Sequence, residues 1–153
     1  MEGVMADGPM WKIENFNQIG VAVKDAEAAA KYVDEKFGIK CLVLTMPSAK
    51  AFLRGKEVDF VTKIAIARVG SIDLEMMEIV EGDHIVKEFL GKHGPGLHHL
   101  GIYVDDLNAA VKQWEEKGGK LVQRTAHSDG IGTAYLDAES ELGTVYVELI
   151  KLA

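Results

Sequence analysis

The amino-acid sequence predicts an α+β fold, two tandem βαβββ modules that form one curved mixed sheet around a central crevice. Three observations carry this. Gln18-Ile19-Gly20-Val21-Ala22-Val23-Lys24-Asp25, followed by Ala28-Ala29, returns as His99-Leu100-Gly101-Ile102-Tyr103-Val104-Asp105-Asp106, followed by Ala109-Ala110, each position displaced by 81. Ile72-Asp73-Leu74-Glu75-Met76-Met77 matches Val145-Tyr146-Val147-Glu148-Leu149-Ile150 with a displacement of 73, so the first half carries 8 extra residues between these landmarks. Finally, each half reads in one order: a short strand, a helix opened by aspartate and stopped by glycine, then three strands.

Residues 1–11 read as an N-terminal extension and 12–153 as one domain, with module one over about 12–80, a linking helix over about 83–93 and module two over about 96–152. The opening strands are 18–23 and 98–104. Each is followed by a helix, from Asp25 to about Lys36 and from Asp106 to about Lys117, because an aspartate side chain can accept from the free N–H groups of a first turn. Gly38 and Gly118-Gly119 stop them, since glycine tolerates the left-handed conformation at a helix end. The remaining strands are 39–45, 61–69 and 72–79, then 120–126, 132–138 and 144–151. The linking helix, His84 to Lys92, is ended by Gly94-Pro95-Gly96, and the extra residues fall in a longer loop over 46–57 that contains Pro47 and Gly55.

Strand alternation then sorts the side chains. Asp73, Glu75 and Met77 share one face and Ile72, Leu74 and Met76 the other; Tyr146, Glu148 and Ile150 oppose Val145, Val147 and Leu149. In the opening strands, Gln18, Gly20 and Ala22 share a face, as do His99, Gly101 and Tyr103, each pairing a leading polar residue with a glycine that leaves space. One face of each module can pack under helices while the other presents an isolated carboxylate. Gln18 with His99, and Glu75 with Glu148, stand at equivalent places in the two repeats.

Composition narrows the function. With 153 residues, 48% of them hydrophobic and 27% charged, the chain is of ordinary globular type and large enough to bury a core without metal or disulfide staples. A formal charge of −7 offers no broad positive field for phosphates, which argues against a nucleic-acid partner. The single cysteine, Cys41, cannot pair within the chain and points to a reducing compartment, the cytoplasm by default. The first residues lack the basic and apolar regions of a secretory signal, and no apolar run approaches the roughly 18–20 residues of a membrane span, so no membrane partner is expected.

The module order, the strand openings Gln18-Ile19-Gly20 and His99-Leu100-Gly101, and the strand glutamates Glu75 and Glu148 resemble the vicinal oxygen chelate superfamily (glyoxalase, bleomycin resistance, dioxygenase) over about residues 12–152. The resemblance implies a divalent metal ion with one ligand from the first and one from the last strand of each module: Gln18, Glu75, His99 and Glu148. That set is similar to the zinc-type set of glyoxalase I, whereas Gly94-Pro95-Gly96-Leu97-His98-His99-Leu100-Gly101 looks more like methylmalonyl-CoA epimerases. Two carboxylates, an imidazole and an amide oxygen suit zinc, cobalt, nickel or manganese alike. The resemblance implies an enzyme, a metal-dependent isomerase, epimerase or lyase, that moves a proton next to a carbonyl or thioester, with the metal as Lewis acid and a glutamate as general base. Glu148 is the first choice of base and Glu75 the second. The substrate would be a small molecule such as an acyl-CoA or a thiol adduct, and open sheet edges lead us to expect a homodimer.

The chain departs from these relatives at two points. Epimerases carry a further catalytic glutamate in the second-strand region of module one, yet 41–56 contains no acid, leaving Glu57 in the long loop as the nearest replacement. Their first ligand is histidine, and here it is Gln18. By alternation, His98 points away from His99 and is structural, and Glu78 is the lesser alternative to Glu75. His84, His93 and His127 read as exposed, while Lys50, Arg54 and Lys56 are either solvated or in reach of a substrate's anionic end. The alternative from another class is a metal-free protein of this fold that sequesters a small molecule. A ring-cleaving oxygenase would need a second histidine ligand.

Overall fold

The computed structural model describes residues 13–153 apart from 129, 138 and 144, so the expected extension over 1–11 lies outside the described residues. Strand β1 (Gln18–Ala22) leads to helix α1 (Ala26–Phe37), then β2 (Leu42–Pro47), β3 (Lys50–Leu53), β4 (Lys56–Val58), β5 (Phe60–Val69) and β6 (Ile72–Gly82). Helix α2 (Ile85–His93) links to β7 (Gly96–Tyr103), α3 (Leu107–Glu116), β8 (Leu121–Ser128), β9 (Ile131–Leu136), the short α4 (Glu139–Leu142) and β10 (Tyr146–Lys151). All ten strands join one mixed sheet in the order β2-β5-β6-β1-β7-β10-β9-β8-β3-β4. Within each repeat the opening and closing strands pair in parallel, β1 with β6 and β7 with β10, while β1 and β7 meet antiparallel at the centre.

The helices begin and end where the sequence places them. Asp25 accepts from the Ala28 N–H at 3.0 Å and Asp106 from the Ala109 N–H at 2.9 Å; Gly38, at φ 70°, closes α1 in the left-handed region. Glu78 is accounted for here as well. It faces α1 and accepts from the Ala26 N–H at 2.9 Å, a carboxylate at the positive end of a helix rather than in the crevice.

Each module buries its outward strand face under its own helix. Leu74, Met76, Val21 and Ala65 pack beneath α1 around Ala26, and Ile102, Leu136 and Leu149 pack beneath α3 around Leu107, Ala110 and Val111. Alternation then turns Glu75 and Glu148 inward, because their strand neighbours are committed to these cores. Helix α2 behaves differently: Val86 and Phe89 pack on the inward residues Ala22 and Met77, so the link between the repeats covers part of the concave side.

The segment 46–57, expected as a loop, contains a β-hairpin. Strands β3 and β4 are joined by Arg54 at φ 49° and Gly55 at φ 80°, two consecutive left-handed residues that match the twist of a tight hairpin. An Arg-Gly pair is not the Asn-Gly or Asp-Gly signature of such turns, which is why composition alone suggests a loop. The hairpin does not extend its own module. It crosses to the other end of the sheet, where β3 pairs with β8 from Lys50↔Ala126 to Leu53↔Gln123. Ala51 and Val58 bury against Phe60, and both oxygens of Glu88 on α2 accept from Arg54 Nη1, at 2.8 and 2.9 Å. Arg54 is therefore engaged within the protein, and Glu57 lies exposed on the outermost strand, away from the crevice.

Candidate functional site

The concave side of the sheet encloses a crevice of about 360 Å³, within the range of small-molecule sites. Its apolar wall includes Met46, Phe60, Ile64, Ile66 and Met77, and its polar groups include Gln18, Glu75 and Glu148. His99, fully buried, completes the cluster from below: its Nε2 lies 3.0 Å from Gln18 Oε1, 3.6 Å from Glu75 Oε1 and 3.7 Å from Glu148 Oε1. Gln18 Nε2 donates to Glu75 Oε2 at 3.2 Å, so one amide bridges imidazole and carboxylate. All four side chains singled out by the repeat thus meet at one place.

Glycines make the meeting possible. On the sheet, Gly20 stands between Glu75 and His99, and Gly101 between Gln18 and Glu148. A Cβ at position 20 would lie only 2.0–2.3 Å from Cε1, Nε2 and Nδ1 of His99, and one at 101 would lie 2.8 Å from Gln18 Cβ. Each polar side chain leans over a neighbour that has none.

Alternation fails at His98. A bulge in the β1–β7 register, between Gly20 and Val21, turns His98 toward the same side as His99 instead of the opposite one, and His98 Nδ1 lies 2.9 Å from His99 Nδ1. Its ring is wedged among Phe89, Tyr135 and Tyr146 and fixes the orientation of the neighbouring imidazole, while its Nε2 is buried without a partner. His84 also departs from expectation. It is buried, 3% exposed, because it is the N-cap of α2: its Nδ1 accepts the Val86 N–H at 3.0 Å and its ring packs edge-on against Phe60. His93 and His127 are exposed as expected, although His127 reaches the crevice rim.

Tyr135 is a site residue that sequence reasoning misses. It stands opposite Glu148 across β9–β10, beside that carboxylate, and its hydroxyl donates to Met77 Sδ at 3.8 Å. The repeat could not flag it, since the residue opposite Glu75 is Ile66. Burial, reinforced by the charges of Glu148 and Glu75, holds the Tyr135 phenol well above its usual range, so it stays protonated and able to donate.

The cluster is electrostatically tense. Burial, reinforced by the charge of Glu75, lifts the Glu148 carboxyl to about 7, against the opposing pull of His99 and the Tyr135 hydroxyl. Burial resists charge on His99, but Glu148 and then Glu75 outweigh it and raise its pKa. A carboxyl poised near neutrality is suited to taking and returning a proton.

Among the described residues, no three His, Cys, Asp or Glu side chains stand arranged as a ready-made metal cage. The donor set nevertheless fits a divalent ion in chemistry and spacing. Donors about 2.1 Å from a common ion lie about 3.0–3.4 Å apart when adjacent in octahedral or tetrahedral geometry; the side-chain oxygens of Gln18, Glu75 and Glu148 lie 3.0, 3.6 and 3.7 Å from His99 Nε2, at that spacing or a few tenths of an ångström beyond it. His98 supplies the second ring contact that metal-ligating histidines use to fix their tautomer.

Residues 17–135 match the Glyoxalase/Bleomycin resistance protein/Dioxygenase superfamily. The chain belongs to that superfamily. Among its curated superfamily relatives is the mitochondrial methylmalonyl-CoA epimerase of Bos taurus, 28% identical over 145 residues that span 93% of this chain and 77% of that one. The mitochondrial methylmalonyl-CoA epimerase of Mus musculus is 30% identical over 111 residues, 71% of this chain, and the match spans little more than half, 56%, of the mouse protein's length. The fold is shared with Streptomyces coelicolor methylmalonyl-CoA epimerase in complex with 2-nitronate-propionyl-CoA, at a TM-score of 0.69 and 20% identity over 93% of this chain and 96% of that one. No helix among the described residues is long and apolar enough to cross a membrane.

Two predictions follow from the packing of this superfamily member. Gly20→Ala should displace the His99 ring, lowering stability by about 1–3 kcal/mol in urea unfolding, with the His99 imidazole signals shifting by NMR; a variant with parental stability and signals would contradict the glycine argument. The second concerns His84, whose pKa burial and the nearby His99 push down from 6.5 to about 3. Folded protein keeps this ring neutral while the unfolded chain protonates it, so its contribution to stability is present above pH 6.5 and is lost as pH falls toward 3. His84→Asn keeps a capping oxygen but has no proton to gain. Urea midpoints at pH 7 and pH 5 should therefore fall less in the variant than in the parent.

Proposed function

We propose that the protein is a divalent-metal-dependent epimerase of an acyl-CoA thioester, of the methylmalonyl-CoA type. The observation that carries this reading is the convergence of Gln18, Glu75 and Glu148 on His99 Nε2 inside the crevice. Its superfamily relatives named as methylmalonyl-CoA epimerases support the same reaction class. Lactoylglutathione lyase chemistry on a thiol adduct uses the same proton transfer and is the variant to test beside it.

Gln18, Glu75, His99 and Glu148 would hold the ion, which when bound supplies Lewis-acid polarisation of a substrate carbonyl. Zinc, cobalt, nickel and manganese all suit this set. The remaining work falls to the chain itself. Glu148 accepts the proton from the carbon next to the carbonyl, with the neighbouring Tyr135 hydroxyl favouring its ionised form. Glu75 approaches from the other module, across Gly20, and delivers to the opposite face a proton that it has taken from solvent, so each turnover leaves Glu148 protonated and Glu75 ionised, the state that acts on the other hand-form of the substrate. The apolar wall of Phe60, Ile64 and Met77 keeps water from the acidified carbon.

A second reading, metal-free binding of a small molecule, draws support from the same wall and from the hydrogen bonds that the cluster makes internally. In either case the protein acts as a homodimer: β2 forms one edge of the sheet with Leu42, Leu44 and Met46 exposed, and a second copy seated along it would cover them. Cys41, unpaired and half-buried, is compatible with the cytoplasm.

Three outcomes are expected. Protein dialysed against Zn²⁺, Co²⁺ or Ni²⁺ should bind about one ion per chain, and the double variant His99→Ala, Glu148→Ala should lose it by elemental analysis, whereas the sequestration reading expects apolar ligands to bind without metal. In D₂O, NMR should show deuterium entering methylmalonyl-CoA, or a 2-oxoaldehyde thiol adduct, at the carbon next to the carbonyl; Glu148→Gln should cut turnover by about 10²-fold or more while keeping the fold, and parental rates in both Glu148→Gln and Glu75→Gln would remove the base assignment. Light scattering at micromolar concentration should give the mass of two chains.

A further inference from the structure

Among the described residues, the only imidazole in the crevice's buried polar groups that the proposed reaction leaves without a task is that of His84. His84 is 3% exposed, caps α2 and lines the crevice. Because its Nδ1 accepts the Val86 N–H at 3.0 Å, the ring's proton sits on Nε2. Among the described residues that N–H meets no acceptor: the ring's other neighbours are the rings of Phe60, centroids 4.5 Å apart, and Tyr135, 6.0 Å apart, both edge-on. Nor is it sealed in the core, where the buried polar atoms without a partner are His98 Nε2, Gln123 Nε2 and Arg124 Nε. The Nε2–H therefore opens onto the crevice.

This donor is pre-organised in three respects. The backbone of α2 fixes its tautomer, two aromatic rings fix its plane, and burial disfavours its charged form. The Phe60 ring that it meets edge-on offers no competing acceptor. A ligand that covers the N–H without supplying an acceptor leaves a buried donor unpaired, so this wall selects for an oxygen. A neutral donor also suits an oxygen whose negative charge grows during proton removal, since it carries no counter-charge that must be released afterwards.

We infer that His84 is a further substrate-binding residue, whose Nε2–H donates to an acyl oxygen of the substrate, either the thioester carbonyl or the free carboxylate. This rests on the acyl-CoA reading and gives that site its oxygen-recognising donor. The test uses the full chain and its His84→Asn variant, in which the shorter side chain keeps the cap on Val86 but withdraws the crevice donor. By calorimetry, His84→Asn should weaken methylmalonyl-CoA about 10-fold or more, and kcat/KM should fall by about 100-fold while far-UV circular dichroism stays parental. Propionyl-CoA, which lacks the free carboxylate, separates the two oxygens: a matching loss assigns the donor to the thioester carbonyl, and an unchanged affinity assigns it to the carboxylate. In ¹⁵N-histidine-labelled wild-type protein the Nε2–H signal of His84 should move on adding methylmalonyl-CoA, a response that a purely structural cap would not give and that needs no variant to fold. Equal binding by wild type and variant with an unmoved signal overturns the role of His84 and leaves the epimerase reading standing. Wild-type protein that binds no acyl-CoA overturns both.

Discussion

The site depends on how side chains are dealt across the centre of the sheet. Along one row the strands present Glu75, Gly20, His99 and Tyr146; along the next they present Asp73, Gln18, Gly101, Glu148 and Tyr135. Directly opposed residues on neighbouring strands hold their Cβ atoms only about 4.5–5.5 Å apart, too close on a concave face for several large polar groups in succession. Placing a glycine beside each one doubles the lateral room and lets groups from two rows bend toward a common point. The curvature of the sheet, the antiparallel meeting of β1 with β7 and the duplication itself all serve this interleaving.

The same arrangement explains why two carboxylates are tolerated so deep in the protein. Gln18 contributes a donor to Glu75 and an acceptor to His99 through a single neutral amide, and His99 faces both glutamates. What remains is unequal. Glu148 is the more deeply buried of the pair and stands opposite Tyr135, whereas Glu75, across Gly20, accepts from Gln18 through Oε2. Two positions made equivalent by duplication have thereby become chemically distinct.

Much of this was legible in the sequence because duplication prints its constraints twice. The displacement of 81 set Gln18 against His99 and Gly20 against Gly101, and alternation from the helix-facing Leu74 and Leu149 was enough to turn Glu75 and Glu148 inward. Features that belong to only one half escaped. The His98 bulge breaks the period of two on which the reading of facing depends, and nothing in His98-His99 marks where the register slips. His84 looked like an exposed histidine in a linker because its burial depends on α2 folding back over the concave side. Tyr135 owes its place to strand register, which the sequence specifies only through contacts made elsewhere.

The hairpin of β3 and β4 bears on how the chain reaches this structure. Lys50 pairs with Ala126, so a ladder within the sheet must wait until residues more than seventy positions apart have found each other, and the far edge of β8 stays open until then. Such pairing raises the mean sequence separation of contacts and slows folding relative to two units that close locally. It also means that a fragment carrying only the second repeat would expose the unpaired β8 edge to other chains. Besides the central β1–β7 ladder, the two repeats are therefore tied together by a segment that only one of them possesses.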